Sequence, residues 1–126
     1  MIARSFSFGP IKHIYLGERF WELPTHQQHA VLRHEEYHCA NHHTEWRIVC
    51  LLLAPFLLKK LCRRQEFQAD AYAADRGSLE GLLEILASDY PGDWVSPSHA
   101  DRRIALVTGK HSRRVGRNPP LEQKDA

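Results

Sequence analysis

Six of the nine histidines in this 126-residue sequence fall within the eighteen positions from His26 to His43. Inside that window the run His34-Glu35-Glu36-Tyr37-His38 sets two imidazoles four residues apart. On a helix such a pair stands one turn above the other, about 5–6 Å between Cβ atoms, so both can grip a single ion. The flanking residues predict that helix. Pro24 marks a boundary, and Thr25 followed three residues later by Gln28 reads as a capping box opening a helix over 25–43. Ala30 and Val31 lie on the same stripe one turn earlier. The histidine pair therefore faces the interior, where neutral metal-bound imidazoles are tolerated better than unpaired charges. Glu35 projects beside that face, placed to take a proton from a metal-bound water and pass it to a leaving amine.

A catalytic ion of this kind needs a third protein ligand, with water in the fourth place. His42 continues the ladder but lies about 12 Å along the axis from His34 at 1.5 Å per residue, and His43 and Glu45 fail by the same distance. The long zincin signature, with glycine and then histidine further along the same helix, is absent, because those positions are Asn41 and Thr44. The third ligand is expected on another element. Glu66 and Asp70 share a face at i, i+4 spacing, and Ala69, Ala73 and Ala74 keep that segment thin enough to pack closely. Glu66 is the candidate ligand, and Asp70 the acceptor for the N–H of a ligating imidazole. Without the upstream motif the same stretch would read as a solvated helix rich in Arg and Glu.

With 43% apolar residues the chain can bury a core for one domain, and 25% charged residues with only 7 Gly and 7 Pro exclude collagen-like, low-complexity and wholly disordered classes. Residues 110–126 carry five basic and two acidic side chains, a tail of +3 on a body of −1. So balanced a body lacks the electrostatic footprint of a dedicated nucleic-acid binder, which leaves only the tail to touch phosphate or anionic lipid weakly. Cys39, Cys50 and Cys62 are odd in number and form no Cys-x-x-Cys pair. Reduced thiols in a cytoplasmic protein are the expectation, with Cys39 a buried inert thiol. No secretory signal is visible at the start of the chain, and the longest apolar run, Ile48 to Leu58, has 11 residues interrupted by Pro55. That is short of the roughly 20 needed to span a bilayer. Because Trp46 to Leu58 is apolar apart from Arg47, it reads as a buried helix, with a hydrophobic flank for a membrane or a partner as the minority reading. Tyr37 and Tyr72 read as packing residues.

The fold class predicted is α+β: short N-terminal antiparallel strands packed on a mainly helical core. Strands are expected at Arg4–Phe8 and Ile11–Leu16 around a turn at Gly9-Pro10. A second helix starts near Thr44, Pro55 divides it from a third that ends at Gly77, and Ser78 caps a short helix striped with Leu79, Leu82, Leu83 and Leu86. Residues 89–97 read as loop, and Ser98 with Asp101 opens a last helix closing at Gly109. The domain then spans 1–109, followed by a disordered basic tail, 110–126.

The combination of His34-Glu35-x-x-His38 with Glu66-Phe67-Gln68-Ala69-Asp70 resembles the gluzincin metallopeptidases, in particular the branch of the CaaX prenyl proteases and bacterial heat-shock membrane proteases. Residues 13–23 and 30–32 look like that family's edge strand and lead into its active-site helix, so the likeness covers about residues 11–76. Lacking transmembrane helices, the chain is most similar to the small soluble minigluzincins. The long apolar segment before Glu66 is also similar to the sensor-transducer branch. The resemblance implies a zincin-like core in which His34, His38 and Glu66 bind Zn²⁺, Glu35 is general base and acid, and Asp70 orients a ligand histidine. Relatives carry a later His-Pro-x-x-x-x-Arg-Ile element. Here Ser96-Pro97-Ser98-His99-Ala100-Asp101-Arg102-Arg103-Ile104 is similar, with Ser96 in place of the histidine or His99 shifted. His99 or Arg103 would then stabilise an oxyanion, against the plainer reading of a capped helix with a surface arginine.

Two functions follow as expectations. One is a zinc-dependent metalloendopeptidase acting on peptide or protein chains, with an extended substrate added to the edge strand near His13–Leu16 and no specific nucleic-acid partner. The other is a latent or non-catalytic zinc-binding interaction protein with the same His₂Glu site, its tail lying in the cleft.

Overall fold

Alternating side chains and a turn that needs a positive φ produce the first element. In a computed structural model describing residues 2–94 and 96–109, Ala3–Phe8 (β1) and Ile11–Leu16 (β2) form an antiparallel hairpin with Phe8 opposite Ile11 and Ala3 opposite Leu16. Gly9 at φ +61° supplies the first residue of the two-residue turn. A short helix unforeseen in the sequence, Glu18–Trp21 (α1), follows and buries Phe20.

The centre of the molecule is Thr25–Ala40 (α2), packed on the hairpin along one side and on later helices along the other. Its buried residues, among them Ala30, Val31, His34, Tyr37 and His38, recur at helical spacing. The capping box does not form. Pro24 is the extended residue before the helix and its carbonyl accepts from the N–H groups of Gln27 and Gln28, so Thr25 already lies inside the first turn. The Gln28 side chain donates instead to the Phe20 carbonyl at 3.1 Å, tying α1 to α2. The helix also stops earlier than expected, because His42 adopts a left-handed conformation, φ 55° and ψ 39°, that reverses the chain.

His43–Leu53 (α3) returns across the hairpin, Pro55–Leu57 makes one 3₁₀ turn, and Leu58–Ala73 (α4) packs along α2. Gly77, at φ +90°, ends the α4 segment as expected and turns the chain into Leu79–Ile85 (α5). Ser78 does not cap α5 with its side chain; its hydroxyl accepts from Arg33 on α2. His99–Thr108 (α6) opens on Ser98, whose Oγ accepts from the Asp101 N–H, and closes at Gly109 as the sequence predicts.

The core is small and alanine-rich. Tyr37, Ala69, Ala71 and Tyr72 form one cluster at the α2–α4 contact, with the two tyrosine rings 5.1 Å apart, and Ala30, Ala73 and Leu82 form another where α5 joins. The Trp46–Leu58 segment is not buried. Leu52, Leu53 and Phe56 stand at the corner between α3 and α4, beyond the reach of any packed element, and are largely exposed. No helix among the described residues is long and apolar enough to cross a membrane. The expected disordered tail, 110–126, lies outside the described residues.

Candidate metal centre

Helical spacing stacks His34 and His38 on the buried face of α2, and close packing through Ala69 and Ala73 brings α4 alongside. Glu66, one α4 turn before Asp70, then meets both rings. His34 Nε2 lies 3.1 Å from His38 Nε2 and 3.0 Å from Glu66 Oε1, and His38 Nε2 lies 3.3 Å from Glu66 Oε2. Zinc binds nitrogen and oxygen at about 2.0–2.1 Å in a tetrahedral shell, which puts neighbouring donors about 3.3 Å apart. The triplet offers the donor types zinc takes, and its separations are close to that value with a different Glu66 oxygen nearest each ring, so these residues fit a zinc ion.

Each ring is held from behind. His34 Nδ1 lies 2.8 Å from Asp70 Oδ1, the contact expected of Asp70, and a carboxylate there can only accept, which leaves the lone pair of His34 on Nε2 whenever the ring is neutral. Asp70 is itself gripped by Arg102, Nε to Oδ2 and Nη2 to Oδ1 both at 2.7 Å. Burial works against ionising Asp70, but the Arg102 guanidinium and His34 together outweigh it and hold the carboxyl below its usual range. Glu66 is likewise held well down, burial being overcome by His38 and His34. Burial lowers the His34 pKa, but hydrogen bonds and charge from Asp70 and Glu66 dominate and raise it to about 10. The cluster is thus built to hold positive charge between two carboxylates, supplied by a proton or by a metal ion.

Two further groups were not legible as site residues. Along a continuous helix His43 is too far from His34 to share an ion, but the left-handed turn at His42 folds it back so that its Nδ1 lies 2.7 Å from Nδ1 of His38. It lies outside the donor triplet and supports a member of it. Burial, His38 and Arg47 together push its pKa down to about 2, so the ring is neutral, and when His38 turns its Nε2 lone pair to the centre its Nδ1–H is donated to His43 Nδ1. The Asn41-His42 pair, both residue types tolerant of positive φ, was the available signal. Arg47 donates to Gln65 at 2.6 Å and to Glu66 Oε2 at 3.1 Å, fixing the Glu66 carboxylate plane; nothing local in the sequence marked it.

Arg102 is the third such group, and it corrects the expectation placed on His99 and Arg103. Those two share one face of α6, where His99 Nδ1 bonds Ser88 Oγ at 2.9 Å and Arg103 donates to the Leu86 carbonyl. Both tie α6 to the end of α5, and neither lines the cleft at the centre. Arg102, 100° round the helix, points inward. Counting from Ser96-Pro97 puts Arg102, not Arg103, in the arginine place of the motif, and Ser96 does line the cleft.

That cleft, about 660 Å³, exposes Glu35, His38 and Glu66 between Ala3–Phe6 of β1 and the facing sides of α3 and α4. Glu35 is half-buried, and among the described residues none hydrogen-bonds its carboxylate, which stays open to the cleft. The strand bordering the cleft is β1 rather than the expected His13–Leu16, because β1 lies between β2 and α3, where its Ser7 N–H donates to Thr44 Oγ1. Since Ser7 N–H points away from β2, the main-chain groups of Ser5 and Ala3 do so too by strand alternation. Cys39 is buried with its thiol donating to the Phe6 and His13 carbonyls, and burial pushes that thiol up, as an inert cysteine requires.

A second grouping, His26 with Glu80 and Glu84, lies on the exposed surface, where His26 is already bonded to Glu84. Compared with known protein families, curated proteins and solved structures, the chain matches none.

Proposed function

We propose that the chain is a zinc-dependent metalloendopeptidase with a zincin-like core, in which His34, His38 and Glu66 hold the ion. The observation that carries this reading is the convergence of His34, His38 and Glu66 within about hydrogen-bond distance of one another, with His38 and Glu66 lining a cleft that also exposes Glu35. Zinc there supplies Lewis acidity, lowering the pKa of a bound water and polarising a carbonyl.

The chain's own residues do the rest. Glu35 takes the proton of the attacking water on its carboxylate and delivers it to the departing amide nitrogen, so the proton count closes over the cycle. Asp70 accepts the His34 Nδ1–H and His43 the His38 Nδ1–H, each turning an Nε2 lone pair to the centre. Arg102 keeps Asp70 ionised and immobile. An extended peptide pairs with the outward main-chain groups of Ala3 and Ser5 on β1, which lays one of its carbonyls across the cleft. The free thiols of Cys39, Cys50 and Cys62 support a reducing, cytoplasmic setting.

The deciding experiment measures zinc content and cleavage of a mixed peptide library by the wild type and Glu35→Gln. Zinc near one per chain in both, with hydrolysis in the wild type alone and at least about 10²-fold less in the variant, is expected. Zinc in both with turnover in neither would transfer the site to the non-catalytic zinc-binding reading, and absence of zinc from both would remove both readings.

A further inference from the structure

The α3–α4 corner presents Leu52, Leu53 and Phe56 at 74%, 80% and 83% exposure. This is a protruding tip rather than a groove, formed where Pro55 breaks the helical run. Trp46, Val49 and Leu53 continue it along α3 at i, i+3, i+7 spacing, all exposed. From Trp46 to Gln65 the chain has five basic side chains and no acidic one. Two of the five are engaged inward, Arg47 with Glu66 and Arg63 with the Asp93 carbonyl, while Lys59, Lys60 and Arg64 are exposed just beyond the tip.

We infer that this corner docks on the surface of an anionic phospholipid bilayer. An apolar tip with a cationic collar matches the interface between acyl chains and negative headgroups. Its size agrees: α3 is too short to span a bilayer but long enough to seat its end in one. Trp46 lies about 9 Å behind Leu52 along the axis, at the depth where indole rings favour the headgroup layer. A second copy of the chain fits poorly, since it would oppose the same uncompensated cations. Ile48, Leu51 and Leu58, between the tip and the centre, line the cleft. Docking therefore sets the cleft mouth against the membrane, and, where the peptidase reading holds, the substrates are chains tethered to or emerging from that surface.

The test is co-sedimentation of the full chain with vesicles of phosphatidylcholine alone or mixed with phosphatidylglycerol, at low and high salt. Wild type is expected to pellet with the mixed vesicles and to be released by salt. Leu52→Ser/Leu53→Ser/Phe56→Ser and, separately, Lys59→Glu/Lys60→Glu should each lower partitioning at least about tenfold with zinc content and Tm unchanged. Failure of the wild type to pellet, or equal pelleting by the variants, overturns the proposal. So does a wild-type dimer in sedimentation equilibrium that the triple substitution dissociates, or capture of the corner by an acidic polypeptide with no vesicle binding. Vesicle binding by a chain that holds no zinc would keep the docking site and remove the peptidase reading, so the two fail separately.

Discussion

Two imidazole nitrogens 3.1 Å apart, each facing one of the two oxygens of the Glu66 carboxylate at 3.0 and 3.3 Å, leave room for one cation and for little else. What makes this arrangement stable is the ring of partners behind it, and Arg102 is the partner whose loss is easiest to read. Arg102→Ala leaves the Asp70 carboxylate buried beside His34 without its guanidinium, a loss of the kind that costs about 3–5 kcal/mol. A fall of that size in the unfolding free energy, read as a lower denaturant midpoint at unchanged m-value, is expected. Arg102→Lys should recover only part of it, because an ammonium cannot reproduce the bidentate contact. Arg103→Ala, which removes only a contact to backbone carbonyls, should cost far less. At this scale the sequence was legible where spacing along one helix decides direction, as for His34, Glu35 and His38. It was not legible for Arg102 against Arg103, because a one-residue step on α6 changes direction by 100° and only packing selects the inward one.

Among the elements, the join between the hairpin and α3 depends on one carboxylate. Glu45 accepts from the Ser7 hydroxyl, the Gly9 N–H at 2.7 Å and His42 Nδ1 at 3.0 Å. Desolvation opposes its ionisation, but those three bonds prevail and bring its pKa from 4.5 to about 2. A carboxyl lowered on folding contributes stability that is fully present above its unfolded pKa and is lost as pH falls through the folded one. Melting temperature should therefore decline between about pH 4.5 and 2, and Glu45→Gln should flatten that limb while lowering the plateau at neutral pH. A second element contact is steric. A Cβ on Gly81 would sit 2.7 Å from the His26 carbonyl oxygen and 3.3 Å from Ala30 Cβ, so α5 touches α2 through the absence of a side chain. Gly81→Ala returns about 1 kcal/mol of helix propensity but forces the helices apart at a cost of about 1–3 kcal/mol, so a net loss in Tm is expected. The helices themselves were readable from period and turn residues. Their ends were less so: Pro24 displaced Thr25 from the cap, and a left-handed His42 ended α2 before residue 43.

For the whole molecule, an alanine-rich core and a large exposed apolar corner mean that zinc, if His34, His38 and Glu66 hold it as proposed, would be a major contributor to stability. Zinc binding to the folded chain alone adds RT ln(1 + [Zn]/Kd), about 4 kcal/mol at a thousandfold excess over Kd. For a domain of this size that corresponds to a Tm rise of very roughly 10–20 °C, abolished by chelation and absent in Glu66→Ala, as differential scanning fluorimetry would show. The sequence by itself determined the α+β order of elements and the stacking of two histidines on one helix face, because those follow from backbone periodicity over a few residues. Only the tertiary structure decided that Glu66 meets both rings, that Arg102 and His43 brace them, that β1 borders the cleft and that the Trp46–Leu58 segment is bare. Each of these depends on where elements remote in sequence come to rest, which is set by alanine-lined helix contacts and by turns at single left-handed residues rather than by any local pattern.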